Sequence, residues 1–487
     1  TGADNHHADL HTMLFVPGSS DIAYTASDGG VHRIDDANSG TNGFGMDWIS
    51  LNNGYDTTQF YTVAIENREG SPYVIGGTQD NGSLFYRTDW TDGSWIPRLG
   101  GDGAHCAIAN HDTENGGYYF SYQYGVVYRY ALTSTGASVN WRRVDPDTGD
   151  SQLLFINPLI LSPTNHRYMF YATENGVYRG NRLNLLPIYG QDPATERWTR
   201  MTAKPLGEFV SALAASNEEN PTLYYGTYEG SVLKVPLAHT AGAFTEPTDI
   251  HTGRGLPAGA YVSTLDVHPN DPSQILLGYS NYGVSSIFHS SDGGDTWIDV
   301  EGNLAGVNGP SIRTAAFLPT AEGDIILLGT STGLYSTMLL DGAQTVWALE
   351  APNLIGNVVV DMVKARASDG FVAVGTHGRG VFTLTPSTVD VPESERAADL
   401  AQNFPNPFNP RTEIRFTLDR QSRVELRVYD ARGRRIATLL DEVRPAGPGQ
   451  VTWNGTDDGG RSVASGVYRY VLRHEGGELS RSMTLVR

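Results

Sequence analysis

The chain has 487 residues, 56 of them glycine and 10% aromatic, with 54 acidic against 34 basic side chains and a net charge of −20. That length exceeds one ordinary core. The lack of any run of about 18 apolar residues excludes a transmembrane helix, and the acidic balance argues against nucleic acid or an anionic membrane as partner, because phosphates would be repelled. The charge is uneven: 20 basic and 44 acidic residues lie in 1–399, against 14 and 10 in 400–487. No signal peptide is visible and the first residue is Thr1, so the sequence reads as a mature chain or a fragment.

In chain order, His7, Asp9 and His11 come first. On a strand they would share one face, and two imidazoles with a carboxylate suit zinc or another transition metal. The same three residues would also serve to line a hydrated channel. A strand, a turn and a second strand then recur, from IAYTASDGGVHRI through YVIGGTQDNGSLFYR to VAVGTHGRGVFTL. The turn glycines are Gly30, Gly82, Gly125, Gly176, Gly230, Gly283, Gly333 and Gly380, about 50 residues apart. Trp48, Trp95, Trp141, Trp198, Trp297 and Trp347 mark a later strand in six of the units. Three or four short strands per unit predict an all-β chain whose residues 1–386 form a seven- or eight-bladed β-propeller. The last unit lacks the Trp strand. Either the N-terminus supplies it and closes eight blades, or seven blades close and the eighth unit belongs to another half.

The turns carry the polar side chains. Gln79, Asp80 and Asn81, then Asp102 and His105, fall on loops of the kind that gather at one end of a propeller as a ligand face. Plain turn chemistry would use the same residues. Asp145, Asp147 and Asp150 offer three carboxylates for calcium, or a solvated turn. Asp28, Asp80, Asp102, Asp266 and Asp361 are acid/base candidates for glycoside hydrolysis, which needs two carboxylates across a cleft; nothing selects a pair. Cys106, the one cysteine, lies in the apolar run AHCAIA and reads as a small buried hydrophobe. No cofactor is required, and these sites admit a divalent metal or calcium.

Ser290, Asp292, Gly294, Thr296 and Trp297 fit the Asp-box pattern S-x-D-x-G-x-T-W, and ASDGG at 26–30 fits it in part. With HHADLHTMLFVPGSSDIAYTASDGGV and QFYTVAIENREGSPYVIGGTQDNGS, the chain resembles bacterial secreted proteins called sortilin-like or xyloglucanase-like glycosyl hydrolases, in which this stretch lies midway along a tandem propeller.

Residues 387–401 read as an extended linker. Beyond it, TEIRFTL, VELRVYD and GVYRYVLRH alternate with turns, predicting a β-sandwich over 402–487. NFPNPFNPRTEIRFTL, VYDARGRRIATLL and WNGTDDGGRSVASGVYRYVL resemble the immunoglobulin-like domain shared by flagellar hook-capping proteins and type IX secretion cargo. The resemblance implies export, with outer-membrane secretion machinery as the partner of 402–487. Together these readings give a secreted or cell-surface propeller that binds protein or glycan. A polysaccharide hydrolase and a structural subunit of a surface assembly are the alternatives.

Overall fold

The computed structural model describes residues 7, 9–38, 48–52, 57–91, 93–110, 117–149, 153–174, 176–202, 208–320, 323–384, 399–418, 421–430, 433–445, 447–474 and 477–486. It is all-β and divides into two compact units, Thr1–Pro386 and Ser387–Arg487. Among the described residues no helix is long and apolar enough to cross a membrane.

The first unit holds eight antiparallel sheets, each with its strands in chain order or the reverse. Seven of them close a ring. Their innermost strands are Phe60–Ile65, Ala107–Ala109, Leu159–Leu161, Val210–Ala215, Val262–Val267, Ile312–Thr320 and Val360–Arg366, here called blades I to VII. Seven apolar clusters fill the seven interfaces, and no residue of the first sheet joins any of them. The seam between blades VII and I packs Phe60, Val63 and Val74 against Phe371 and Ala373. Across it, the buried Arg366 guanidinium donates to the Glu66 and Ser71 carbonyls at 2.8 and 3.1 Å. Among the described residues blade VII has three strands, so the N-terminus does not supply its fourth, and the ring has seven blades.

Local chemistry explains the repeat. All eight turn glycines have positive φ, from 68° to 134°, where a side chain would be strained. In four blades a threonine hydroxyl at the strand end (Thr78, Thr173, Thr330, Thr376) donates to the turn-glycine carbonyl, which fixes the hairpin. The tryptophans tie blade to blade: the indoles of Trp198, Trp297 and Trp347 donate to Val144, Ile250 and Val300 of the preceding blade at 2.8–2.9 Å. Cys106 is buried between blades I and II.

The first sheet (Leu10–Phe15, Ala23–Ser27, Gly30–Ile34 and Ile49–Ser50) uses the same hairpin device, Ser27 donating to the Gly30 carbonyl. It stands outside the ring, and its leading strand is exposed throughout.

In the second unit, Asp399–Leu400, Thr412–Leu418 and Gly447–Trp453 form one sheet, and Arg435–Arg444, Ser422–Asp430, Gly466–His474 and Gly477–Leu485 the other. The first of these strands falls within the stretch read as linker. Val424, Leu426 and Val428 point into the core while Glu425, Arg427 and Tyr429 face outward, as the alternation predicts. Trp453 and Tyr468 sit in that core in edge-to-face contact at 5.2 Å.

Candidate functional site

Five blades carry a bulge near the start of the innermost strand. The register shifts at Phe60/Thr62, Val210/Ala212, Val262/Thr264, Ile312/Thr314 and Val360/Met362. Each bulge leaves one extra residue whose side chain is re-aimed. In blades IV and V it is a serine, Ser211 or Ser263, which donates to the next blade at 2.7 or 2.9 Å. In blades I and VII it is Tyr61 and Asp361, and these flank the seam. The Tyr61 ring lies 6.4 Å from that of His377, whose Nδ1 is 3.2 Å from Asp361.

The same end of the ring carries the turns between second and third strands. There the Asp80 amide donates to the Asp102 carboxylate at 2.9 Å, and the Asp102 amide to the Gln123 side chain at 3.0 Å. Burial pushes the Asp80 carboxyl up, and the neighbouring Asp102 and Asp28 push it further. Burial, with Asp102, Asp80 and Asp361, pushes the Tyr61 hydroxyl up to about 12. Tyr124, Tyr228 and Tyr282 stand exposed on the corresponding turns of blades II, IV and V. Beside the seam this face is acidic and aromatic, while the bulge of blade VI gives the same end Arg313 and the turn of blade VII gives it Arg379. Asp80, Asn81, Gln79 and Asp102 lie on it; Tyr61, Asp361 and His377 complete it. Apart from Asp361 among the carboxylates, no local pattern of residues marks the last three.

His105 lies deeper, on the innermost edge of blade II. Burial and the charge of Lys364 push its imidazole down to about 3. Asp266 of blade V, pushed up to about 6 by burial, senses the same lysine. Blades II, V and VII are not neighbours, so the lysine charge acts on His105 and Asp266 across the ring axis. Asp266 also accepts the Phe317 amide of blade VI at 2.8 Å. The carboxylates proposed for hydrolysis are therefore dispersed: Asp266 faces the axis, Asp361 pairs with His377, and Asp80 has Asp102 and Asp28 as neighbours.

The leading histidines do not alternate on one strand. The strand starts at Leu10, and a shift between Leu10 and Thr12 makes His11 a bulge residue. His11 Nε2 lies 2.6 Å from Asp28. Donor atoms of His7, Asp9 and Asp28 instead gather within 4.8 Å of one another. The calcium reading meets a different arrangement. Asp145 is buried, accepts the Val127 amide and pairs with Arg143 at 2.9 Å. Asp147 is exposed, and Asp150 lies outside the described residues.

The turn at Ser290–Trp297 is a self-contained unit. Ser290 donates to Asp292 and accepts the Gly294 amide, both at 2.8 Å; Asp292 accepts the Thr296 amide and hydroxyl at 2.8 and 2.6 Å. Burial pushes the Asp292 carboxyl up, but the bonds from Thr296 and Ser290 outweigh this and hold it at about 2. The stretch 26–30 is different: it spans the turn between second and third strands, not the one after the third.

On the sandwich, a depression of about 490 Å³ is lined by Tyr429, Asp430, Tyr468, Arg469 and Arg473, among others.

Residues 409–478 match the FlgD Ig-like domain family. No curated protein matches the sequence. Among solved structures, the chain is similar to PorZ of Porphyromonas gingivalis, described as an essential bacterial surface component of the type-IX secretion system. The identity is 13% and the TM-score 0.49, over 99% of this chain and 66% of that one. Sqt1 of Saccharomyces cerevisiae is similar at 11% identity and a TM-score of 0.41, over 68% of this chain and 96% of that one. This chain thus spans just under two thirds of the PorZ structure's length.

Proposed function

We propose that this is a secreted or cell-surface binding protein, a sortilin-like propeller exported through its immunoglobulin-like domain by a type IX-like machinery. The ring binds its ligand on the face that carries Tyr61, Asp80, Asp102, Asp361 and His377. The observation that carries this reading is the convergence of acidic and aromatic side chains from blades I and VII at the seam. Such a face suits a neutral glycan, by stacking and hydrogen bonds, or a protein segment bearing cationic groups.

Two experiments separate the halves of the proposal. Deleting residues 402–487 leaves a folded ring that stays inside the outer membrane; truncated protein reaching the surface in normal amounts overturns the export reading. For the ring, glycan arrays and basic peptides should give binding that Asp102→Asn weakens, with unchanged folding. Absence of any such ligand, or binding indifferent to Asp80 and Asp102 replacements, overturns the ligand face.

A glycan-hydrolysing reading is favoured by one observation: Asp80, its carboxyl raised, adjoins Asp102, giving neighbouring acid and base character. Turnover of a β-glucan oligosaccharide abolished by Asp80→Asn would establish it.

A further inference from the structure

We propose that His7, Asp9 and Asp28 bind one divalent transition-metal ion, with His11 holding Asp28 from behind. One donor atom from each of the three lies within 4.8 Å of the others, a spread one ion can span. The hydrogen bonds fix the state of the imidazole. His7 Nε2 lies 3.0 Å from the Asp80 carbonyl, which can only accept, so Nε2 carries the proton. Nδ1 accepts the Asp9 amide at 3.2 Å, so it is the unprotonated nitrogen, and an ion bound there takes its lone pair in exchange for that exposed bond. That nitrogen also lies 3.6 Å from the Asp9 carboxylate. An electron-rich nitrogen beside a carboxylate, with Asp28 adjoining, is the arrangement a cation resolves. A carbonyl bonded to the far ring nitrogen is the outer-shell contact that orients a metal-binding histidine. His11, 2.6 Å from Asp28 Oδ1, fixes that carboxylate in the same way.

The backbone is shaped for this approach. A Cβ placed on Gly29 would lie 2.7 Å from the His7 Cβ, so only glycine lets His7 reach the turn that carries Asp28. One nitrogen and two carboxylate oxygens favour zinc, cobalt or manganese over a soft ion, and three protein donors leave positions for water or a ligand atom. Because His7 also bonds the Asp80 turn of blade I, the ion ties the first sheet to the ring and sets a positive centre beside its acidic face.

The test uses the full chain, stripped with chelator and titrated calorimetrically with Zn²⁺ and with Co²⁺. One ion per chain is expected, with affinity falling at least about tenfold in His7→Gln, Asp9→Asn and Asp28→Asn. His11→Ala should lose less. The cobalt form should show ligand-field bands without thiolate charge transfer, since Cys106 is buried elsewhere. Asp9 is exposed, its side chain 66% accessible, so Asp9→Asn keeps the fold even where His7→Gln does not. No stoichiometric binding, or binding that Asp9→Asn and Asp28→Asn leave unchanged, overturns the site.

Discussion

The first sheet and the ring blades are written in the same sequence pattern and end in opposite environments. Both have an apolar leading strand, a glycine at positive φ in the hairpin and a hydroxyl bonded to that glycine's carbonyl. In blade V the leading strand buries Val262, Leu265 and Val267; in the first sheet Leu10, Met13, Leu14 and Phe15 are all exposed. The hairpin is thus a local property, whereas burial is conferred by the neighbouring blade. The polar residues follow the same division. Asp292 spends its carboxylate on its own turn, while Asp28 turns outward to His11 and the His7 cluster.

The largest test of this contrast removes one large apolar side chain from each region. Trp347→Ala, between blades V and VI, should cost about 3–5 kcal/mol in denaturant unfolding, since it empties a core position and orphans the Val300 carbonyl. An equal loss for Phe15→Ala would show that the first sheet is packed as the blades are.

Asp266 gives the next effect, and its sign follows from burial. Its folded value of about 6 lies above the ordinary value of about 3.9, so the folded state holds the proton more tightly. Its contribution is therefore full below about pH 4 and lost as pH rises through about 6. Asp266→Asn still accepts the Phe317 amide. It should remove this slope and gain about 1–2 kcal/mol at pH 7–8 relative to pH 4, discounted for channel water. A stability profile unchanged by the substitution would place Asp266 in bulk-like solvent.

Asp292→Ala should cost about 1 kcal/mol, because the bonds it breaks are on an exposed turn. The folded value of about 2 lies below the ordinary one, so this contribution is present above about pH 4 and lost as pH falls through about 2. Smallest is Phe15→Ala, expected within about 0.5 kcal/mol of the parent because its side chain is already exposed.

What could be read from the sequence was what a short window contains. The turn glycines, the tryptophan strands and the inward set Val424, Leu426 and Val428 are all periodic within one unit. Ring closure is not: Arg366 reaches Glu66 from 300 residues away, and no local pattern distinguishes seven blades from eight. The site suffers similarly. Gln79, Asp80 and Asp102 were visible as turn residues, but Tyr61 looked like any aromatic on a strand until its bulge turned it toward His377. His11 looked collinear with His7 and Asp9 for the same reason, since a bulge leaves no mark in the alternation of residue types.

The seam between blades VII and I is held by side chains, apolar contact and a short backbone bridge from Thr58 and Gln59 to His377, Gly378 and Gly380 rather than by a strand shared between the ends of the ring, and this sets a schedule for synthesis. Phe60, Val63 and Val74 leave the ribosome before their partners Phe371 and Ala373, which come about 300 residues later. At roughly 5–20 residues per second, that apolar flank waits about 15–60 s for its cover. For this interval the growing chain is an open arc with one adhesive end, and that end is the surface a holding chaperone would have to occupy.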